Sequence, residues 1–594
     1  MNYSEIINSA LKEFSQGKKE QAYKKLKKIF NKNKDDDLLR FNLAVIEQSL
    51  GLNNEAKHNY KHLVKINKNY KAMNNLYLLY IKENNYLDAL DVINQAIKAK
   101  DITDIIIKDK AYVLYNLKRY DDSINICENY LNDKSDVDVS NILGLNYFGK
   151  GNFQKSEDIF HKALKKYKNN PFILNSLGRL YHEKRDSDKA ERYLLKAYQL
   201  KKNSYEIINN LAGCYREEGK YHKSIDLYLM ALKLNNKNPA IINNLAKVYF
   251  DIGKLDLAEK YCLSALNLNK HDGNIQKILS LIYLRQHKFK DAWYYFDGRL
   301  NLSDFIEKNS SINNIRKKLL DKNYLKKDLK ILVLREQGVG DEILYGTMYE
   351  DLLENCNDVT IECDKRLKRI FCNSFPSYKN SFIENGAISF NKNLLKKYDV
   401  AVYAGSLGKF FRKKIQDFSN KSYLYAERKL IEKTKKKFSS LDGKFNIGIS
   451  WKSFQNRYSK EKSLILDDFI NILSNQKCNY INLQYGDVYE EIKIFNEKYN
   501  KNIITFEDLD IFNNFDDLAS YLINLDLFIS VSNSTAHLAG ALGVKTLLIR
   551  PENHAVFHYW NQPDNKTPWY SSIRFLSKNE IFNDTNLINK YLIS

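Results

Sequence analysis

Apolar and small residues recur along the first half of the chain with a period of 34 residues. A Leu–small–x–x–Tyr motif begins at Leu177 and returns one and two periods later, and small residues such as Ala190 and Ala197 follow it. The frame extends more weakly in both directions and gives nine units between Ala22 and Ala292. Such spacing puts one apolar stripe on a first helix and a close-packing face on a second. A helix pair of this kind buries its stripe only by stacking, so residues 1–300 are predicted to form a superhelix with a concave groove.

Continuous apolar runs replace this period in the second half. Ile331 to Leu334 is followed by the turn GVGD and by helical spacing from Glu342 to Leu353. Such runs are typical of buried parallel strands. Further strands are predicted at 358–363 and 399–405, and then, after a restart, at 445–451, 479–486, 502–508, 526–532 and 545–549, with helices at 466–473 and 516–524. The predicted fold class is therefore α plus α/β, with Rossmann-like halves at 330–440 and 441–594 and a polar linker at 301–329.

Composition narrows the classes of protein. The 594 residues are 44% hydrophobic and 28% charged, which suits a globular chain of two to four units. The N-terminus lacks the apolar region of a signal peptide, and no apolar run has membrane-spanning length. Seven cysteines without a CxxC pair argue against a zinc site or a disulfide framework, and they favour a reduced, cytoplasmic protein.

The net charge of +22 lies almost entirely before residue 331. A basic half could bind nucleic acid, anionic lipid or an acidic protein. The lysines are spread along every predicted helix, however, and no nucleic-acid motif accompanies them. A Lys/Asn/Tyr/Ile-rich composition, as an AT-rich genome would produce, explains most of the charge, and we expect no nucleic-acid partner.

The repeats resemble the tetratricopeptide repeat, and the second half resembles a specific enzyme group. The stretches LREQGVGDEILYGTMYEDLL, GISWKSFQNRYSKEKSLILDDF, NLQYGD, DLFISVSNSTAHLAGALGVKTLLI and PWYSSIRFL occur in order. Together they are similar to the bacterial proteins that fuse tetratricopeptide repeats to a heptosyltransferase-like glycosyltransferase domain. That resemblance implies a GT-B fold with an acceptor half and a nucleotide-sugar half, and inversion at the anomeric carbon. The nucleotide sugar is the substrate; we expect no metal and no other cofactor.

The stretch SVSNSTAHLAGALG, 530–543, is a strand that enters a helix through small polar residues. A helix N-terminus offers free N–H groups and a partial positive charge, and small side chains let a diphosphate approach the backbone. By the resemblance, the donor diphosphate contacts Asn533, Ser534, Thr535 and His537. Many relatives carry Asp-Thr where this chain has Ser532 and Asn533. The alternative is a helix capped by Asn533 or Ser534, with His537 as a packing residue.

The turn GVGD supplies Gly338 and Gly340 for close approach of the donor, and then Asp341. In the resembled group, a Gly-Asp at this turn provides the carboxylate that deprotonates the acceptor hydroxyl. A carboxylate facing a cleft suits a general base if burial raises its pKa. The alternative is a first-turn Asp that stabilises the helix dipole.

Cations after the strand at 445–451 could neutralise the leaving diphosphate. Lys452 and Lys462 match the resembled group best, whereas Arg457 and Lys460 are interpreted as solvated loop charges. Gln484 is predicted to line the nucleotide pocket, where a base edge needs amide partners.

An asparagine recurs two residues before the Leu of the repeat frame, at Asn141, Asn175, Asn209 and Asn243. It resembles the asparagine ladder of protein O-GlcNAc transferases, whose amides hold the backbone of an extended peptide, and implies an acceptor-binding role here. The alternative is that Asn is simply abundant in this chain.

These observations predict a cytoplasmic glycosyltransferase that moves a sugar from a nucleotide-sugar donor to an acceptor, which is a protein or peptide held in the groove of the repeats. The alternative is a protein-binding scaffold whose GT-B half binds nucleotide without turnover.

Overall fold

The computed structural model describes residues 3–99, 103–302, 305, 327–419, 421–442, 445–454, 462–475, 477–551, 558–560, 566–583 and 587–593. Most of the predicted linker at 301–329 lies outside these residues, as do Arg457 and Lys460. The chain divides into two compact units, Met1–Leu234 and Asn235–Ser594.

Helices dominate the described residues as far as residue 302, and consecutive helices pack as pairs. The pairs of the first unit are α1 Tyr3–Ser15 with α2 Lys19–Phe30, α3 Asp37–Ser49 with α4 Asn53–Asn67, α5 Tyr70–Lys82 with α6 Tyr86–Lys98, α7 Asp104–Asn116 with α8 Tyr120–Asp133, α9 Val137–Gly149 with α10 Phe153–Lys166, α11 Pro171–Glu183 with α12 Ser187–Leu200, and α13 Tyr205–Glu217 with α14 Tyr221–Leu234. The second unit adds α15 Pro239–Asp251 with α16 Leu255–Leu268, and α17 Gly273–Arg285 with α18 Phe289–Phe296.

The small residues of the repeat frame hold each pair together. A Cβ on Gly178 would lie 2.5 Å from Cγ of Leu194 on the paired helix, so the two backbones approach as closely as a glycine allows. Where serine replaces alanine in the frame, its hydroxyl donates to a carbonyl twelve residues earlier on the first helix, as Ser156 does to Gly144 at 2.8 Å. Ser123 and Ser224 make the equivalent bond. Serine therefore fits at a position where other repeats of this chain have alanine.

Two parallel sheets follow the last helix pair. The first has the order β3-β2-β1-β4, and the second has the order β10-β9-β8-β5-β6-β7. The strands of the first are β1 Lys330–Leu334, β2 Asp358–Cys363, β3 Phe382–Glu384 and β4 Val400–Tyr403. The strands of the second are β5 Phe445–Ser450, β6 Cys478–Asn482, β7 Ile503–Ile504, β8 Leu527–Val531, β9 Thr546–Ile549 and β10 Ile573–Leu576.

Helices connect the strands of both sheets. They are α19 Val339–Gly346, α20 Tyr349–Asn355, α21 Lys368–Ser374, α22 Lys392–Leu395, α23 Gly408–Phe411, α24 Arg428–Phe438, α25 Tyr489–Tyr499, α26 Phe515–Ile523, α27 Ser534–Leu542, α28 Lys578–Asn583 and α29 Leu587–Ile593. Shorter 3-10 helices lie at Asp297–Asn301, Pro376–Ser381, Ala404–Leu407, Ile415–Asp417, Leu466–Phe469, Ile472–Ser474 and His558–Trp560. The predicted helical repeats and the predicted parallel α/β region are both confirmed.

The end of the repeats belongs to the same core as the first sheet. Trp293 of α18 is 1% exposed, and its Nε1 donates to the Arg412 carbonyl at 2.7 Å. One cluster of buried residues runs from Leu279 of α17 to Ile331 of β1 and on to Leu538 of α27. The division into compact units therefore precedes the end of the repeats, whereas the sequence pattern changes at residue 300.

Candidate functional site

Two strand-to-helix turns from different sheets meet at one point. The strand β1 leads into α19 through Gly338, and β8 leads into α27 through Asn533. A Cβ on Gly340 would lie 2.9 Å from Cδ2 of His537 and 3.6 Å from Cα of Ser534. Any larger side chain at Gly340 would push the first turns of α19 and α27 apart. The structure thus brings the turn that contains Gly338, Gly340 and Asp341 against the start of the helix that contains Ser534 and His537. The sequence had identified these two turns separately.

The turn before α19 has an unusual backbone. Gln337 has φ of +62°, a left-handed conformation that is uncommon for a residue with a side chain. Gly338 then caps the helix, and its N–H donates to Asp341 Oδ2 at 3.3 Å. This hydrogen bond supports the alternative role of Asp341, in which it stabilises the start of the helix.

The same carboxylate also has a perturbed pKa. Asp341 keeps part of its surface exposed, but it lies deep enough that burial raises its pKa to about 6. The charge of Glu336 also raises this pKa, and the Gly338 N–H, Lys462 and the hydroxyl of Tyr559 lower it, so that about 6 is the net result. A carboxylate with a pKa in this range is a serviceable general base near neutral pH.

The turn before α27 is held from within the second sheet. Asn533 is the N-cap, and its Oδ1 accepts from the Ala536 N–H at 3.1 Å. Its Nδ2 donates to Ser450 Oγ at 2.8 Å, at the end of the neighbouring strand β5. Ser534 is partly exposed and Thr535 is buried. Of these predicted donor contacts, Ser534 has the most accessible side chain, whereas the Asn533 amide is already engaged in the turn.

His537 lies in an aromatic cluster that sequence reasoning missed. Its Nδ1 is 3.1 Å from the Tyr570 hydroxyl, and its ring centroid is 4.7 Å from Trp560 and 5.0 Å from Tyr559. Trp560 Nε1 donates to Ser532 Oγ at 2.9 Å, so the cluster also holds the turn. The quoted stretch PWYSSIRFL contains Tyr570, but no periodicity links it to His537, which is 33 residues away.

The remaining predicted donor contacts have internal partners. Gln484 is 1% exposed, and its Oε1 accepts from Ser450 Oγ and from the N–H groups of Trp451 and Lys452 at 2.6 to 3.0 Å. The Lys452 ammonium pairs with Glu491 at 2.5 Å. Lys462 is buried and close enough to Asp341 to lower the pKa of that carboxyl. Gln484 thus fixes the ends of β5 and β6, and its role as a nucleotide contact stays a prediction.

The asparagines of the repeats are linked from one helix pair to the next in the first unit. Asn141 Oδ1 accepts from Ser176 Oγ at 2.7 Å, and Asn175 Oδ1 accepts from Asn210 Nδ2 at 2.8 Å. Asn209 Nδ2 donates to Asn210 Oδ1 at 3.4 Å. In the second unit, Asn243 is 4% exposed, and its Oδ1 accepts from Cys262 Sγ at 3.7 Å.

Comparison with known proteins identifies the repeats. Sequence profiles of the tetratricopeptide repeat match residues 143–205, 214–253 and 239–272. The first half carries tetratricopeptide repeats.

Three individual proteins that resemble this chain share at most about a quarter of its residues over the matched lengths. Protein FlbA of Caulobacter vibrioides is 25% identical over 260 residues, which cover 41% of this chain and 42% of FlbA. The chain thus matches less than half the length of that protein. A solved tetratricopeptide repeat protein from Parabacteroides merdae is 17% identical, with a TM-score of 0.39 over 42% of this chain and 98% of that one. PilF of Pseudomonas aeruginosa is 18% identical, with a TM-score of 0.27 over 37% of this chain and 85% of that one.

Tetratricopeptide repeats are protein-binding scaffolds, and they bear on partners rather than on chemistry. Among the helices in the described ranges, none has both the length and the apolar character needed to cross a bilayer.

Proposed function

We propose that this protein is a glycosyltransferase that moves a sugar from a nucleotide-sugar donor to a hydroxyl group of a protein bound by its tetratricopeptide repeats. The observation that carries the proposal is the meeting of Asp341, whose pKa is about 6, with the N-terminus of α27 across Gly340. A base and an anion-binding helix end at one point are the two groups that this reaction needs. The likeness to heptosyltransferase-like GT-B enzymes supports the same reaction.

The proposed reaction needs one proton transfer and one displacement. Asp341 takes the proton of the acceptor hydroxyl, and the oxygen attacks the anomeric carbon of the donor sugar. The bond between that carbon and the diphosphate oxygen breaks, and the nucleoside diphosphate leaves with the electron pair. The N–H groups and hydroxyls of Ser534 and Thr535, together with Lys452 and Lys462, stabilise the negative charge on the leaving group. Attack opposite the leaving group inverts the anomeric centre.

The acceptor is proposed to bind along the asparagines of the repeats. The carbonyl ends of Asn141 and Asn175 accept bonds from Ser176 and Asn210, which fixes the orientation of both side chains. Asn141 is partly exposed and would offer its Nδ2 to a backbone carbonyl of an extended peptide, whereas Asn175 is buried. We propose a cytoplasmic site of action, which the seven unpaired cysteines support.

A second candidate is a scaffold whose α/β region binds nucleotide without turnover. The contacts of Asn533, Gln484 and Lys452 with neighbouring protein groups favour it, because a polar group already engaged contributes less to a ligand. Under this reading, Asp341 is only a helix cap.

Replacement of Asp341 by Asn separates the two candidates. The variant keeps the size of the side chain and an oxygen for the Gly338 N–H, but it cannot take a proton. Removal of a general base lowers turnover by roughly 10²- to 10⁴-fold. We expect that loss in transfer of radiolabelled sugar to lysate protein, with nucleoside diphosphate affinity changed less than twofold by calorimetry. The donor is chosen beforehand as the nucleotide sugar that raises the melting temperature most.

Asp517→Asn is the matched control, since Asp517 also lies in the first turn of a helix, α26. It should keep wild-type turnover. Wild-type turnover in the Asp341 variant would eliminate the proposed base. Nucleotide binding by a wild type that neither transfers nor hydrolyses any donor would favour the scaffold.

A further inference from the structure

Arg299 lies in the 3-10 helix Asp297–Asn301, directly after the last repeat helix, and is 3% exposed. Its Nε donates to Glu336 Oε2 at 2.9 Å, and its Nη2 donates to Glu336 Oε1 at 2.6 Å. Two parallel bonds between a guanidinium and a carboxylate fix both groups in one plane. Arg299, at the end of the repeats, thus binds the side chain of Glu336, which follows β1 and Arg335.

The other donors of Arg299 are also used. Nη1 donates to the Phe296 carbonyl and to Asp297 Oδ1, each at 3.0 Å, and Nη2 donates to Ser406 Oγ at 3.0 Å. With the two bonds to Glu336, all five N–H groups have an acceptor. These five hydrogen bonds therefore fix the orientation of the Arg299 guanidinium.

Glu336 is held equally well. It is 6% exposed, and its Oε1 also accepts from the Gly405 N–H at 2.7 Å, after β4. The next residue is Gln337, with its left-handed backbone, and the turn then reaches Gly338 and Asp341. A sparsely populated backbone conformation persists only where its surroundings enforce it. The Arg299–Glu336 ion pair fixes the chain immediately before the left-handed backbone of Gln337.

Stability alone does not explain a buried ion pair here. The cost of removing both charges from water offsets most of their attraction, and apolar replacements of such pairs are often as stable. What the planar fork of arginine adds is orientation, which lysine cannot supply with a single ammonium.

We propose that Arg299 is a positioning residue, which fixes Glu336 and through it the Gln337–Gly338 turn that carries Asp341, so that the end of the repeats is a structural part of the candidate active site. This inference rests on the proposed function for its consequence in turnover. The bracing of the turn itself does not depend on which reaction the site performs.

The charge of Glu336 gives the inference a second readout. Glu336 raises the pKa of Asp341, although less than burial does. Among the described residues, the titratable or charged groups that interact with Asp341 include Glu336, Lys462, Tyr345, Tyr559 and Tyr570. His537 lies against the neighbouring Gly340. Glu336→Gln keeps the shape of the side chain but removes the negative charge, so the pKa of Asp341 should fall.

The test uses the full chain with Arg299→Lys, Glu336→Gln and a control, Arg412→Lys. Arg412 is a buried arginine of the same α/β half, but it pairs with Asp351 and the Thr347 carbonyl instead of the turn. Arg299→Lys should lower kcat at least tenfold, with UDP, GDP or ADP affinity by calorimetry changed less than twofold. Glu336→Gln should move the acid limb of kcat/KM to lower pH. Arg412→Lys should do neither.

Hydrogen exchange of the peptide 335–345 provides the measurement that needs no substrate. Its amides should exchange at least tenfold faster in Arg299→Lys than in wild type or Arg412→Lys. Unchanged exchange together with unchanged kcat would overturn the inference. If Arg299→Lys does not fold, Glu336→Gln decides, and an acid limb and exchange rates identical to wild type would overturn it.

The outcomes also separate the inference from the proposed function. Faster exchange in Arg299→Lys, in a wild type that transfers no sugar, would support the bracing and reject the glycosyltransferase. Wild-type transfer that is lost in Asp341→Asn but intact in Arg299→Lys, with unchanged exchange, would support the glycosyltransferase and reject the bracing.

Discussion

Asp341 can both stabilise the start of α19 and act as a base, whereas the sequence offered these two roles only as alternatives. Its Oδ2 accepts from the Gly338 N–H at 3.3 Å, which satisfies one of the free donors at the start of α19. Its environment also raises its pKa to about 6. A cap fixes the position of the carboxylate, and partial burial gives it basicity, so the two roles support each other.

The raised pKa makes a prediction about stability. A carboxyl whose pKa is higher in the folded state than in the unfolded state costs stability once it ionises. Relative to Asp341→Asn, wild type should therefore lose stability as the pH rises from about 4 to about 6. A shift from 3.8 to about 6 corresponds to at most about 3 kcal/mol, and a weaker cap bond reduces this.

Urea unfolding at pH 4 and pH 8 measures this difference. The variant should be the more stable protein at pH 8, and its advantage should disappear at pH 4. An advantage that is the same at both values would mean that Asp341 titrates normally, and that its environment does not prepare it as a base.

Residue-level prediction from sequence succeeded for location more than for contacts. Asn533 follows β8, as predicted, whereas Gln484 follows β6 although the predicted strand included it. Both use their amides to join β5 to its neighbours. Those partners are 83 and 33 residues away in the sequence. A single sequence gives the residue type at a turn but not the distant groups that engage it.

Among the elements, long apolar runs were predictable and short or interrupted ones were not. All eight predicted strands are present, whereas β3 and β10 were missed, because the apolar run of β3 is only Phe382 and Ile383 and that of β10 is interrupted by Arg574. The predicted helix from Glu342 to Leu353 is two helices, α19 and α20. A Cβ on Gly346, where α19 ends, would lie 2.6 Å from the Tyr423 hydroxyl. A close tertiary contact thus lies at the point where the two helices separate.

The N-terminus of α27 is the element that the donor diphosphate should occupy. Ser534 is the first residue of this nine-residue helix and is partly exposed. Ser534→Glu would fill the space for the phosphate and oppose its charge. Loss of a helix-end contact and a hydroxyl contact, each worth about 1–3 kcal/mol, should weaken nucleoside diphosphate binding by tenfold or more. The fold should persist, since an acidic residue is favoured in a first helical turn.

Ser534→Gln has a similar size without the charge, so it shows how much of the loss is electrostatic. Calorimetric titration of the nucleoside diphosphate into the three proteins gives the comparison. Undiminished affinity in a folded Ser534→Glu protein would mean that the phosphates bind elsewhere, and that 530–543 is only a strand, a cap and a packed helix.

At the scale of the whole molecule, the period of 34 residues made the repeats the easiest feature to predict. The division into compact units was not predictable in the same way. It falls at Leu234, before the last two helix pairs, although their sequences keep the repeat frame. Trp293 and Arg299 have partners 119 and 37 residues further along the chain. Such contacts leave no mark on the local pattern.

This division determines which fragments of the chain should fold. A fragment of residues 235–594 keeps Trp293 in its site beneath Gly408 and Trp569, and keeps the Arg299–Glu336 pair. A fragment of residues 301–594 leaves that apolar site empty and the Glu336 carboxylate without its guanidinium. Removal of a buried tryptophan costs about 3–5 kcal/mol, and removal of one partner of a buried ion pair costs a similar amount. Together these losses are comparable to the whole stability of a typical domain.

We therefore expect 235–594 to unfold cooperatively and to bind the nucleoside diphosphate with the affinity of the full chain, whereas 301–594 should fail to fold or should melt far lower. Thermal unfolding and calorimetry of both fragments test this. The longer fragment should also lose transfer to the natural acceptor, because the tetratricopeptide repeats of the first unit are gone. Equal stability and equal nucleotide affinity in the two fragments would show that the repeat end is dispensable to the α/β region. Full transfer by 235–594 would show that the first unit does not bind the acceptor.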